Sequence, residues 1–117
     1  MFDIKGPFEF TSFNHVEGDT FELRFTHNGE YFDIKGDGNG PLDACLNAFE
    51  KAGFSVKLSD YEQIAMNADI MGSGASAITT IHIAGDNGED IIGRAFDKNT
   101  AKANVKAIFN ALNIIYR

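Results

Sequence analysis

Three glycines at alternate positions, Gly36-Asp37-Gly38-Asn39-Gly40, run straight into Pro41-Leu42-Asp43-Ala44. Glycine tolerates positive φ and lets another group come close to the backbone. Pro41 suits a first helical position, where a missing N–H costs nothing. Asp43 falls in the first turn, where a carboxylate complements the helix dipole. Such a stretch presents exposed helix N–H groups beside a glycine bed and would hold an anion, an amino acid's α-carboxylate or a phosphate. The same pattern also serves as a plain strand-to-helix turn with no ligand. It is not a P-loop, because no Gly-Lys-Ser/Thr follows, and the alternating glycines lack the third member of the dinucleotide-binding spacing. A second stretch, Leu58-Ser59-Asp60-Tyr61 with Ala65 and then Gly72-Ser73-Gly74-Ala75-Ser76-Ala77, alternates small residues near a tyrosine and a leucine. These would wall an apolar cavity, or simply let strand pack closely on helix.

Catalytic chemistry finds little support. His15, His27 and His82 have no partner at metal-ligand spacing, so they read as solvated or hydrogen-bonded structural residues. The aspartates cluster near turns and helix starts, where they are favoured structurally. No nucleophile, base and orienting group emerge together. The lone cysteine, Cys45, lies among Ala44, Leu46 and Ala48 and reads as a small buried thiol. No catalytic or metal-binding residue is nominated, and the chain by itself is not expected to be an enzyme.

The chain has 117 residues, enough for one domain with a modest core. With 44% hydrophobic residues and 11 phenylalanines it is a folded chain, and the phenylalanines fit strand faces as core. A net charge of −7 argues against nucleic acid and against an anionic membrane surface. One cysteine permits no intrachain disulfide, which fits a reducing, cytoplasmic setting. No apolar run approaches a membrane span, and the start lacks a signal-peptide pattern. Met1 runs almost at once into strand-like sequence, which suits either a piece of a longer protein or a small free-standing one.

The elements that must position these residues follow from periodicity. Phe8–Phe13, Thr20–Thr26 and Tyr31–Lys35 alternate apolar and polar, separated by Glu17-Gly18-Asp19 and by Asn28-Gly29, a strong hairpin signal. A helix from Pro41 to about Ala52 follows, with Leu42, Cys45, Leu46 and Phe49 on one face and Gly53 just beyond it. Phe54 to Ala68 reads as a second extended region, with a bulge near Ser59-Asp60. Ala75–Ala84 and Glu89–Phe96 read as strands joined by an Asp86-Asn87-Gly88 turn. Asp97 is the expected N-cap of a helix over about Lys98–Tyr116, whose stripe is Ala101, Val105, Ile108, Phe109, Leu112 and Ile115. The expected fold is α+β: two β-β-β-α units, about 7–53 and 54–116, packed as a sheet-and-helix sandwich with an internal pseudo-two-fold.

Gly38-Asn39-Gly40-Pro41-Leu42-Asp43-Ala44, Leu58-Ser59-Asp60-Tyr61, Gly74-Ala75-Ser76-Ala77 and Asn110-Ala111-Leu112-Asn113 together resemble the C-terminal regulatory domain of the 2-isopropylmalate synthase and citramalate synthase family. The match in order and spacing runs from about Phe8 to Asn113. The resemblance implies two β-β-β-α units, a homodimer, and a feedback inhibitor held between the two domains: leucine in isopropylmalate synthases, isoleucine or leucine in some citramalate synthases. It implies that the divalent metal, acetyl-CoA and catalytic barrel belong to a region outside this chain, leaving no cofactor here. By position it assigns Gly38, Gly40, Leu42 and Asp43 to the effector at the first helix start. Leu58, Tyr61 and Ala65 would line its side-chain pocket, Ala75 and Ala77 would give it room, and Thr100 would contribute from the second helix start. Where many members read G-x-G-x-x-x-D-I-I, this chain reads Gly93-Arg94-Ala95-Phe96-Asp97-Lys98-Asn99-Thr100-Ala101, and Met66–Gly74 is longer than the usual link. A dimerisation module without an effector site is the competing expectation.

Overall fold

The structure, a computed structural model, describes residues 4–70, 75–84 and 88–116. Strands β1 (Phe8–Glu17), β2 (Thr20–His27) and β3 (Glu30–Asp37) form an antiparallel meander in the order β1-β2-β3. The β2–β3 turn holds Asn28 at φ 52° and Gly29 at φ 83°, the paired positive values that a tight hairpin demands. Alternation puts Leu23 and Phe25 of β2 inward, where both are fully buried. Helix α1 (Pro41–Lys51) then covers that face. It ends as its sequence requires: Gly53 takes φ 95°, its N–H donates to the Glu50 carbonyl, and the Phe54 N–H reaches back to Phe49.

The second unit repeats the plan. Strands β4 (Leu58–Ile70), β5 (Ala75–Ala84) and β6 (Asp90–Asp97) form a second antiparallel sheet in the order β4-β5-β6, followed by α2 (Thr100–Tyr116). No helix among the described residues is long and apolar enough to cross a membrane. Helix α2 packs on β6 and β5 on one side and reaches β1 on the other, while α1 packs on β3, β2 and α2. Phe109 carries α2 into the first unit's core, its ring centroid 5.3 Å from Phe49, 5.4 Å from Phe10 and 5.6 Å from Phe25. The expected α+β pair of β-β-β-α units is therefore what the chain forms.

The repeat extends to atomic contacts. A β-carbon on Gly36 of β3 would run into the Ala44 carbonyl oxygen and lie 2.9 Å from the Ala48 nitrogen. A β-carbon on Gly93 of β6 would run into the Ala107 carbonyl oxygen and lie 2.7 Å from the Ala111 nitrogen. In each unit the last strand touches its own helix backbone through a glycine opposite two alanines four residues apart.

Several expectations need correction. Phe54–Lys57 is not strand; Phe54 and Val56 instead pack on the core from the connection after α1, so their alternation reflects burial without a ladder partner. The bulge does fall where expected, since Leu58 pairs with Ile83 and Asp60 with His82, leaving Ser59 as the extra residue. Asp97 is not the N-cap of α2. The cap is Asn99, whose side-chain oxygen accepts the Lys102 N–H at 3.0 Å, while Asp97 accepts the Asn99 N–H at 2.8 Å. Ile115 is 37% exposed and lies outside the core stripe. The connection Met71–Gly74 and the turn residues Asp86 and Asn87 lie outside the described residues.

Asp97 remains important at the start of α2. Its partial burial opposes ionisation, but the Lys106 ammonium at 2.6 Å and the Asn99 N–H outweigh this and hold the carboxyl below its usual range. A depressed carboxyl stabilises the fold above its unfolded pKa and loses that contribution as pH falls through its lower folded value. Lys106→Met should therefore cost up to about 1 kcal/mol at pH 7, with parent and variant converging below roughly pH 4. Urea titrations of both proteins from pH 7 to pH 3 check this; a gap as wide at pH 3 as at pH 7 would refute the ion pair as its source.

Candidate functional site

The first group of nominated residues forms the β3–α1 junction. Gly38 lies under the helix start: a β-carbon there would come within 2.8 Å of the Asp43 carbonyl carbon. The loop is held from several sides. The Gly38 N–H donates to the Asp19 carbonyl at 3.1 Å, Asn47 donates to the Asp37 carbonyl at 2.6 Å, and the Asp43 carboxylate accepts the Asn39 N–H at 3.2 Å. Gly40 is the N-cap, in extended backbone with φ −176°, and it provides no side-chain cap. Pro41 has no N–H to satisfy, and the Ala44 N–H is taken by the Gly40 carbonyl. The Leu42 and Asp43 amides thus head the helix with no side-chain acceptor among the described residues, beside the open space around Gly40. Leu42 itself packs on the core. The close-approach role expected of the glycines falls to Gly36 and Gly38, and none of the three takes positive φ.

The second group belongs to β4, β5 and the start of α2. Leu58 opens β4 and packs on the core. Tyr61 is 38% exposed, and its hydroxyl donates to the Asn104 side-chain oxygen at 3.3 Å. Ala77 is fully buried on β5. Ala65 and Ala75 lie on β4 and β5. The Thr100 carbonyl accepts from the Gln63 amide nitrogen at 2.8 Å. That same nitrogen lies 2.8 Å from the Asn104 oxygen and 2.9 Å from the Thr79 hydroxyl, which itself donates to Asn104 at 3.0 Å. The result is a polar knot of Tyr61, Gln63, Thr79 and Asn104 around the first turn of α2.

Gln63, Thr79 and Asn104 were not nominated from sequence. A signal was present: Thr79 is the polar member of the inward set Ala77, Thr79, Ile81 and Ile83, and Asn104 lies one turn after Thr100. Buried polar atoms need partners, and a lone inward threonine points to one. The two groups of nominated residues sit in different units. Each of the three histidines has a structural partner: His15 donates to the Gly18 carbonyl, His27 lies on the Phe8 ring, and His82 meets the Asp90 carboxylate at 3.0 Å. Cys45 is fully buried, and burial drives its thiol pKa far upward.

The fold and these sites define a duplicated α+β domain, two β-β-β-α units each with its helix start set against glycine or polar groups. The chain belongs to the family of the LeuA allosteric (dimerisation) domain, whose model matches residues 8–116. It is similar to the 2-isopropylmalate synthase of Kocuria rhizophila, with 30% identity over 113 residues covering 92% of this chain and 18% of that protein. The enzyme of the same name from Corynebacterium glutamicum strain R is 36% identical over 87 residues, covering 74% of the chain and 14% of the relative. That of Desulfitobacterium hafniense is 27% identical over 118 residues, covering 98% and 21%. The chain therefore spans about a fifth or less of the length of the curated relatives it matches.

Proposed function

We propose that this chain is the effector-binding and dimerising part of a 2-isopropylmalate synthase, sensing leucine for feedback control of leucine biosynthesis in the cytoplasm. The observation that carries the reading is the start of α1, two amides with no side-chain cap among the described residues, above a pinned glycine loop. An α-carboxylate is the kind of small anion such a helix end attracts. The exposed Asp43 carboxylate would face the ammonium of the same amino acid. The apolar remainder falls to the residues that the family resemblance assigns, Leu58, Tyr61 and Ala65 of β4 with Ala75 and Ala77 of β5, and Thr100 at the start of α2. Two copies of the chain would form the dimer. Binding would shift an attached catalytic region only through different affinity for its two states.

Calorimetric titration with leucine, isoleucine and valine tests this. Leucine should bind and valine, one methylene smaller, should bind about 10- to 200-fold more weakly. Preference for isoleucine would move the assignment to a citramalate-type enzyme. Absence of heat from all three in a folded chain would overturn the sensor. A purely structural dimerisation module would then stand, a reading favoured by Asn99 and the Thr100 carbonyl, both already engaged within the chain.

A further inference from the structure

Three of the buried residues of α2 are asparagines, Asn104, Asn110 and Asn113. Nine residues at about 3.6 per turn set Asn104 and Asn113 on opposite sides of the helix. Asn104 joins the polar knot at β4 and β5, whereas Asn110 and Asn113 hold the segment that leads into β1. Residues 4–7 lie outside strand and helix, and α2 pins them as a strap. The Asn110 oxygen accepts the Ile4 N–H at 3.0 Å, the Asn113 amide donates to the Ile4 carbonyl at 2.9 Å, and the Asn113 oxygen accepts the Phe8 N–H at 2.8 Å. Packing holds the strap less closely. Two clefts border Ile4 and Phe8, one of about 230 Å³ reaching Phe10 and Phe109 and one of about 510 Å³ reaching Lys5 and Glu9. Close-packed interiors leave few such voids, so the asparagine pins set the position of the strap.

We infer that α2 is a bar tying this strap to the polar knot, so that an effector at the helix start tightens the strap about 14 Å further along the helix, at 1.5 Å per residue. The inference rests on the sensor reading above and names the path of its signal. Two contacts make α2 move as one body. Gly93 of β6 lies against the Ala107 carbonyl oxygen and the Ala111 nitrogen, where a β-carbon has no room. Asn110 adds a second tie to β6, donating to the Arg94 carbonyl at 2.7 Å. A roll of the helix on that seat moves both asparagine faces together. The knot at its start has slack to take up. Three donors approach the Asn104 oxygen, Gln63 at 2.8 Å, Thr79 at 3.0 Å and Tyr61 at 3.3 Å, and a carbonyl oxygen has two lone pairs. Tyr61 makes the longest of these bonds and is exposed. An amino acid seated against Tyr61 and Thr100 that draws the tyrosine hydroxyl to itself leaves two donors for two lone pairs. The first turn of α2 is then held more firmly, and the strap with it. Coupling of this kind needs one element that both sites bias. It is also reciprocal, so the strap alters effector affinity by the factor with which the effector alters the strap.

Hydrogen exchange of the whole chain with and without saturating leucine, run beside calorimetry, tests the bar. Leucine should slow exchange at the Ile4 and Phe8 amides about fivefold or more. Exchange at the Glu30 amide, beside the β2–β3 turn, should not change. Gly6→Ala supplies the reciprocal arm. A β-carbon there would lie 2.7 Å from the Asn113 side chain, which is buried and cannot yield without dropping its bonds. The substitution therefore lifts the strap from its pins and alters no residue of α2. In a variant whose β2 amides stay protected, leucine should bind about fivefold or more weakly than in the parent and should no longer slow Phe8. Leucine that binds the parent but leaves Ile4 and Phe8 unchanged, or that binds Gly6→Ala as tightly as the parent, overturns the bar and leaves the sensor standing. Absence of heat from leucine in the folded parent overturns both.

Discussion

Gly93→Ala should destabilise the domain by about 3 kcal/mol, at the upper end of overpacking costs. The added methyl has nowhere to go. It would run into the Ala107 carbonyl oxygen and press on the Ala111 nitrogen, both helix backbone, and on the Ala111 β-carbon, which is fixed to that backbone and is not the end of a flexible side chain. Helix α2 must then lift from β6, and its buried residues Val105, Ile108 and Leu112 lose packing together. Gly36→Ala should cost a similar amount through Ala44 and Ala48. Gly40→Ala is the contrast: its backbone is extended and no atom would meet the methyl, so it should cost no more than the roughly 1 kcal/mol by which alanine is the poorer N-cap. Urea denaturation of the three variants provides the comparison. A Gly93→Ala midpoint close to the parent's would mean that α2 has slack this packing denies it.

Asn113→Ala should cost about 3 kcal/mol, because one side chain satisfies three backbone groups. Asn113 is 3% exposed on α2. Its oxygen accepts the Phe8 N–H at 2.8 Å, and its amide donates to the Phe8 and Ile4 carbonyls, each at 2.9 Å. Truncation leaves the buried Phe8 N–H unpaired and removes two anchors from the segment leading into β1. Gly6 is fitted over the same side chain, with no room for a β-carbon against Asn113. Asn110 holds the neighbouring Ile4 N–H at 3.0 Å and the Arg94 carbonyl at 2.7 Å, so the segment would be loosened and not wholly released. Hydrogen exchange should show the Phe8 amide losing protection before the centre of β2 does. Full protection at Phe8 with a loss under about 1 kcal/mol would show that the segment holds without its asparagine.

What sequence reasoning could and could not see divides along physical lines. Elements with one buried face were plain, since Leu23 and Phe25 of β2, or Cys45 and Phe49 of α1, repeat at the period of their element. The bulge at Ser59 was visible as a slip in that period. Helix α2 was harder, because it is buried nearly all round. Its apolar stripe located the helix but not Asn104, Asn110 and Asn113, whose polar side chains are buried to serve other segments. Its cap was displaced by two residues because Asp97 and Asn99 are both good cap types, and Lys106 engages Asp97. The glycine loop was located correctly, yet Gly36 and Gly38 are required for space and not for φ, a distinction that depends on where the helix lies. The residues assigned to an effector are named by resemblance alone, and the knot that organises the second group rests on cross-strand register, which single-strand patterning does not contain.

Phe109 reaches the first unit's aromatic cluster from the far end of the chain. During synthesis even Phe49, which follows Phe10 and Phe25, leaves the ribosome sixty residues ahead of the ring that completes their packing, an interval of about 3–12 s at ordinary elongation rates. The nascent first half must wait that long with an unfinished apolar surface. Translation speed across β4 to β6 thus sets how long the newborn chain is vulnerable to aggregation, and substitutions that slow the closing of α2 would lower soluble yield before they lowered the stability of the finished protein.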